Sequence, residues 1–388
     1  MKWTTCVVVA LALAVVAMLA STAHAYPSNV TGIIRDYGYR CDDYWAETED
    51  GYLLSLQRIY HRTPGARRGV VLVQHGLTDN ANGFVLNPPD ESLPFILADK
   101  GYEVWLGNNR GNGYSMRHKV LNPSEPAFWQ FTYDEMAQYD LPANINFVLA
   151  TSGAATLAYV GHSEGTIQAF AGFSANNSIA DRVDVFVALA PVAYVGHLKV
   201  LLLNALSHLD PIEILLLLGV NEFNLPTALL KLIPDVCTLY PPICNNVLTA
   251  LMGPSVETNQ SRLAYYLRYE PNPTSVLNMI HWSQGADTDA FQRYDWGEAG
   301  NMKRYGQRTP PPYLLSQMPP KLPVALFTGG NDYLADPIDV ARLKKELRPP
   351  AVFEHFEPTY SHVDFLWAED ANVDIYPHVL RLIQQYHH

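Results

Sequence analysis

The sequence predicts an α/β protein: a mostly parallel sheet of alternating strands and helices, interrupted by one long, mainly helical insertion. Three observations carry this reading. Short apolar or alternating runs bounded by Gly, Pro, Asp or Asn recur along the chain, with segments of helical period between them. Several runs are almost unbroken Val, Leu and Phe, as strands covered on both faces should be. The alternation then stops between Val195 and Gln317 and resumes afterwards. Of the 388 residues, 48% are hydrophobic and only 16% charged. A soluble domain usually has about a quarter charged residues, so disorder is excluded and a large core is expected. With 26 Lys and Arg against 38 Asp and Glu, the net charge of -12 argues against a nucleic-acid partner.

Residues 1–25 read as a secretory signal: Lys2 supplies the positive start, residues 6–20 form the apolar stretch, and Ala23-His24-Ala25 gives the small-x-small cleavage pattern. The stretch is shorter than the roughly 20 residues needed to cross a bilayer. The mature chain is therefore expected to begin at Tyr26 and to reach the secreted or lysosomal/endosomal lumen. Loss of Cys6 leaves Cys41, Cys237 and Cys244. In an oxidising compartment an odd number means one pair and one spare thiol. Cys237 and Cys244 flank a short segment bent by Pro241-Pro242, so they are the expected pair. Cys41 is then an inert buried thiol. Sequons at Asn29, Asn176 and Asn259 are candidate glycosylation sites.

Strands are expected at 53–59, 69–74, 103–106, 157–160, 185–189, 324–327 and 352–356, and helices at 92–100, 132–149 and 339–347. Residues 26–194 and 318–388 thus form two parts of one core, and 195–317 form the insertion. The apolar runs at 198–209 and 214–220 within it are interrupted by Lys199, His208, Asp210 and Glu213, so no transmembrane span is expected. Such amphipathic helices can pack on the core, and some can line a lipid site.

Chemistry enters at Gly161-His162-Ser163-Glu164-Gly165. The motif follows the strand at 157–160 and leads into a helix-compatible segment at 166–173, the context of a nucleophile elbow. A serine hydroxyl is a weak nucleophile and needs a histidine to take its proton and an acid to orient that histidine. In strand-turn-helix architectures of this kind the order along the chain is Ser, acid, His. Asp332 follows the strand at 324–327, and His362 follows the one at 352–356 through a Pro-containing loop. Asp336 is the rival acid, although Pro337 behind it reads as a helix start. His355 falls within a strand and His281 within the insertion, and both read as structural. Two N–H donors must also meet the developing oxyanion. The backbone of Glu164 supplies one, and Leu77, in the turn His75-Gly76-Leu77, is the candidate for the other. There is no His-Glu-x-x-His, Cys-x-x-Cys or Walker loop, and a serine triad needs no cofactor, so neither metal nor cofactor is expected.

Longer blocks extend the pattern: Thr48-Glu49-Asp50-Gly51-Tyr52, the stretch 97–112 ending in Gly107-Asn108-Asn109-Arg110-Gly111-Asn112, Tyr139-Asp140-Leu141-Pro142-Ala143, Tyr294-Asp295-Trp296-Gly297, 330–336 and His362-Val363-Asp364-Phe365. In these blocks, from about Ile33 to the C-terminus, the chain resembles the acid lipases, the gastric and lysosomal branch of the α/β-hydrolases. The resemblance implies an α/β-hydrolase core with a helical cap over residues 195–317 and a lid near 225–253. It also implies a triad of Ser163, Asp332 and His362, oxyanion donors at Leu77 and Glu164, and a cap disulfide that fits Cys237 and Cys244. The implied substrate is a neutral lipid ester, triacylglycerol or cholesteryl ester, met at an oil-water or membrane interface. One departure stands beside the nucleophile, where the family usually carries Gln and this chain has Glu164. An ionised carboxylate there would oppose the oxyanion, so Glu164 is expected to favour activity at acidic pH. The competing readings are another serine hydrolase, such as a thioesterase or peptidase, and a lipid-binding protein without catalysis. The apolar insertion disfavours small polar substrates, and the intact Ser, Asp and His set disfavours a silent protein.

Overall fold

The computed structural model describes residues 30–62, 67–199, 215–216 and 218–387. The expected signal, Asn29 and most of the apolar runs at 198–209 and 214–220 lie outside them. The strands are β1 (Cys41–Glu47), β2 (Tyr52–Ile59), β3 (Gly69–Gln74), β4 (Tyr102–Gly107), β5 (Arg117–His118), β6 (Leu157–His162), β7 (Val183–Leu189), β8 (Glu222–Phe223), β9 (Thr274–Ser275), β10 (Val324–Gly329) and β11 (Phe353–Glu357). One mixed sheet runs β1-β2-β4-β3-β6-β7-β10-β11, with β5 on β2. From β4 to β11 every pairing is parallel, while β1 pairs antiparallel with β2 and β2 with β4.

Helices α1 (Leu93–Asp99), α2 (Leu141–Ser152), α3 (Glu164–Ala175), α4 (Thr227–Leu239), α5 (Pro241–Met252), α6 (Val276–Thr288), α7 (Pro337–Glu346) and α8 (Tyr376–Tyr386) account for most of the remaining regular structure. Strands β4, β6 and β10 are buried along their whole length. That is why their sequences are continuous apolar runs rather than alternations.

Besides adding β5 and α8, which have no counterpart among the expected elements, the structure departs from the sequence reading as follows. The helix expected over 132–149 is split into a turn at Tyr133–Glu135, a π-helical turn at Met136–Asp140 and α2. Pro142 has no N–H to give back to the preceding turn, and the ladder widens so that the Leu141 N–H reaches Met136 O instead. Strand β1 was not expected, because Cys-Asp-Asp-Tyr-Trp-Ala-Glu is polar; it is an edge strand whose outward residues face solvent. The last strand is Phe353–Glu357, one residue beyond the expected 352–356, since its burial is partial and its pattern weak. The segment between β7 and β10 holds α4, α5 and α6 but also the two-residue antiparallel pair β8–β9. Among the described residues no helix is long and apolar enough to cross a membrane.

Candidate active site

The turn between β6 and α3 holds Ser163 at φ 54°, ψ -117°, a left-handed conformation that a non-glycine residue adopts only under surrounding constraint. The neighbours supply it. A Cβ on Gly161 would sit 2.6 Å from Gly165 O, and one on Gly165 would sit 2.4 Å from Gln74 O, so both positions accept only glycine. Ser163 N–H donates to Leu189 O at 3.1 Å, fastening the turn to β7. Its carbonyl accepts from Thr166 N at 2.7 Å and Thr166 Oγ1 at 2.6 Å, which starts α3.

The Ser163 hydroxyl meets His362 Nε2 at 2.7 Å, and His362 Nδ1 lies 2.9 Å from each oxygen of Asp332. Asp332 is fully buried, and its Oδ1 also accepts from the N–H groups of Leu334 at 2.9 Å and Ala335 at 2.8 Å. A carboxylate can only accept, so Nδ1 carries the imidazole proton and Nε2 is left to accept from serine. Asp336 is occupied elsewhere: its Oδ1 caps α7 through Ile338 N at 2.8 Å, and its Oδ2 meets Lys199 Nζ at 2.7 Å. His355 lies in β11, while buried His281 lies in α6 and stacks on Tyr133.

Further residues, none of them given a role by the sequence, hold this chain in place. His162 donates Nε2–H to His362 O at 2.9 Å, and burial lowers its pKa to about 3, so it stays neutral. From the end of α5, Met252 O accepts the His362 N–H at 3.0 Å. Asp364 accepts from Ser361 N at 2.6 Å and Ser255 Oγ at 2.8 Å, closing the turn that carries His362. His162 and Asp364 lie within the sequence motifs, but their bonds to the His362 turn, like those of the more distant Met252 and Ser255, follow no spacing rule and are revealed only by placement in space.

On the opposite side, a Cβ on Gly76 would meet Ser163 Cβ at 2.9 Å, so the turn carrying Leu77 abuts Ser163. His75 fixes that turn. Its Nδ1–H donates to Gly76 O at 2.8 Å, and its Nε2 accepts from Asn109 N at 3.0 Å and Asn112 Nδ2 at 2.9 Å. The block around Arg110 anchors the same loops: its guanidinium bonds Asp140 Oδ1 at 2.6 Å and Asp50 Oδ2 at 2.6 Å.

Glu164 follows Ser163, and its side chain is buried against α6. One oxygen accepts from Asn278 Nδ2 at 2.6 Å and Trp282 Nε1 at 3.0 Å. Loss of hydration outweighs these two donors and raises its pKa to about 7. Cys237 and Cys244 are disulfide-bonded across the α4–α5 corner, with Cα atoms 5.5 Å apart. Cys41 is a buried thiol whose pKa is pushed up to about 12 by desolvation. Asn176 is exposed, whereas Asn259 is nearly buried and its Oδ1 accepts from Ser261 Oγ at 2.6 Å.

The chain matches the α/β hydrolase fold family over residues 69–369 and the partial α/β-hydrolase lipase region over residues 30–88. A solved carboxyl esterase from Bacillus coagulans shares the fold at TM-score 0.56 and 12% identity, over 89% of this chain and 98% of that one. Human gastric triacylglycerol lipase is 40% identical over 92% of this chain and 91% of its own length. Lysosomal acid lipase/cholesteryl ester hydrolase of Macaca fascicularis is 41% identical over the same shares. The chain belongs to the acid lipase family of α/β-hydrolases, the group of the gastric and lysosomal lipases.

Proposed function

We propose that the protein hydrolyses neutral lipid esters, triacylglycerol or cholesteryl ester, through an acyl-Ser163 intermediate. The observation that supports this reading most directly is the continuous hydrogen-bonded chain from Ser163 through His362 to Asp332. Ser163 Oγ attacks the ester carbonyl carbon while His362 Nε2 takes its proton, and Asp332 steadies the imidazolium that forms. The N–H groups of Leu77 and Glu164 receive the oxyanion of the tetrahedral intermediate. Collapse expels the alcohol, protonated by His362, and leaves the fatty acyl group on Ser163. Water, activated by the same histidine, releases the acid and restores the serine.

Residues 195–317 act as the cap in this reading, with a lid near 225–253. Along α4 and α5 the large side chains Leu232, Leu239, Tyr240, Ile243 and Val247 are all more than half exposed. An apolar face of that kind on a soluble chain fits contact with a lipid surface, where the substrate resides. The names of the gastric and lysosomal relatives, together with the signal-like sequence of residues 1–25, support a reading in which the protein works in the secreted or lysosomal lumen. Asn176 is the exposed candidate for a glycan. The test is hydrolysis of triolein and cholesteryl oleate by the purified protein and by Ser163→Ala across pH 4 to 8. Activity on either ester that disappears in Ser163→Ala supports the reading. No turnover of either, with Ser163 still labelled by an organophosphate, would point to another acyl substrate; failure of labelling would point to a lipid-binding protein.

A further inference from the structure

Beside the turn that carries Leu77, two carboxyl groups meet. Asp79 lies two residues beyond Leu77, and Glu270 belongs to the Tyr269–Asn272 segment of the insertion, 191 positions further along the chain. Their side chains are within hydrogen-bonding reach of each other. The surroundings tie the two segments together. Asn272 N–H donates to Thr78 O at 2.7 Å, Asn80 Nδ2 donates to Asn272 Oδ1 at 2.6 Å, and Asn272 Nδ2 donates to Glu270 Oε2 at 2.8 Å. Thr78 itself sits at φ 52°, a conformation that the junction must hold against its own preference.

Glu270 is only 8% exposed, and its Oε1 is buried without a donor from any described group. Among the described residues neither carboxylate forms an ion pair with Lys or Arg. The titratable groups around them are His75 at the end of β3, Tyr114 and Tyr269. Two ionised carboxylates at this separation, largely out of water, would repel strongly. One proton between them turns the repulsion into a charge-assisted O–H···O bond. Burial drives both groups above their ordinary range, in agreement with that arrangement.

We propose that Asp79 and Glu270 are positioning residues that share one proton, and that this proton fastens the oxyanion turn of Leu77 to the insertion. The proposal rests on the reading of Leu77 as an oxyanion donor. In acid the carboxyl O–H of one residue donates to the carboxylate of the other, and Leu77 N–H is held toward Ser163. As pH rises the proton leaves to solvent, the two anions repel, and the turn loosens. The enzyme thereby loses its oxyanion geometry by a route separate from the titration of Glu164.

The test compares the full-length protein with Asp79→Asn and, independently, Glu270→Gln. Each variant replaces the shared proton by amide N–H groups that do not titrate over this range. The local readout is hydrogen–deuterium exchange of peptides spanning 76–81 at pH 5 and pH 8, corrected for intrinsic exchange rates. Wild type should lose protection there by at least about threefold more than either variant on going to pH 8. With a soluble short-chain ester, the variants' kcat at pH 8 relative to pH 5 should rise at least about threefold with little change in KM. Equal loss of protection in wild type and both variants would overturn the shared proton. Protection that becomes independent of pH while kcat keeps the wild-type profile would overturn the positioning role and count against Leu77 as a donor, because the turn would then be secured without serving the reaction.

Discussion

Glu164→Gln tests the side chain next to Ser163. The glutamine keeps an acceptor oxygen for Asn278 and Trp282 but cannot ionise. In the folded protein the Glu164 pKa is about 7, against an ordinary 4.5. Folded molecules therefore retain a proton that the unfolded chain has already released between those two values. The sign follows: stability falls as pH rises from 4.5 through 7 and levels off above it. Integrated over that interval the loss is about 3 kcal/mol, or about 5 °C in Tm for a chain of this size. Glu164→Gln should lack this component, so between pH 4.5 and pH 8 its Tm should fall about 5 °C less than that of wild type. Activity should follow the same group. At pH 8 only about a tenth of the wild-type molecules would hold the proton, and the ionised remainder oppose the oxyanion. The ratio of kcat/KM at pH 8 to that at pH 5, read in a pH-stat with a soluble triglyceride, should thus rise up to about tenfold in the variant. Any fall on the acid side should stay where it is, because the substitution leaves Ser163, His362 and Asp332 unchanged. Overlaid activity profiles from pH 4 to 8 would refute the role given to Glu164.

Gly165→Ala should give little folded protein and no measurable turnover, because the added methyl would press on Gln74 O at 2.4 Å and His75 O at 2.9 Å; expression and organophosphate labelling of Ser163 read both outcomes. Arg110→Ala leaves fully buried Asp140 without its partner and should cost about 3–5 kcal/mol, measured by denaturant unfolding. Cys237→Ser with Cys244→Ser opens a short loop and should cost roughly 2–3 kcal/mol, expressed mainly as proteolysis within α4 and α5 while the rest of the chain resists. His162→Phe removes the donor to His362 O and should lower kcat with a smaller effect on KM, as expected when the histidine turn loses one of its ties.

The parts of this fold that the sequence made legible are those in which a single local rule dominates. Strands β3, β4, β6, β7 and β10 are covered on both faces, so their burial writes itself into unbroken apolar runs. Strand β1 is half exposed and its pairing with β2 supplies what its composition lacks, so no local pattern marks it. The split of the helix expected over 132–149 has a related cause. Pro142 was visible, but the π-helical turn at Met136–Asp140 is a tertiary compromise: it lets Asp140 receive the Arg110 backbone N–H at 3.0 Å and the guanidinium as well.

The site divides along the same line. Gly161, Ser163 and Gly165 are constrained by a backbone turn five residues long, and such a turn has a sequence signature. Asp332 and His362 carry no signature of their own, but the order of strands limits where an acid and a histidine can enter the site. His162, Met252, Ser255 and Asp364 have neither kind of mark. His162 and Met252 each hold the His362 backbone by one hydrogen bond, from β6 and from the end of α5, while Asp364 within the turn itself gathers bonds from Ser361 and from Ser255 in the loop behind α5. The Asp79 and Glu270 carboxyls are hidden more deeply still, because acidic residues 191 positions apart read in sequence as two solvated surface charges. Only when the insertion folds back over the oxyanion turn do they lose water and face each other. Replacing either would look conservative in a sequence comparison, yet it would alter the charge beside the Leu77 N–H. On this proposal, contacts between the insertion and the core add a second source of pH dependence to the one that Glu164 brings.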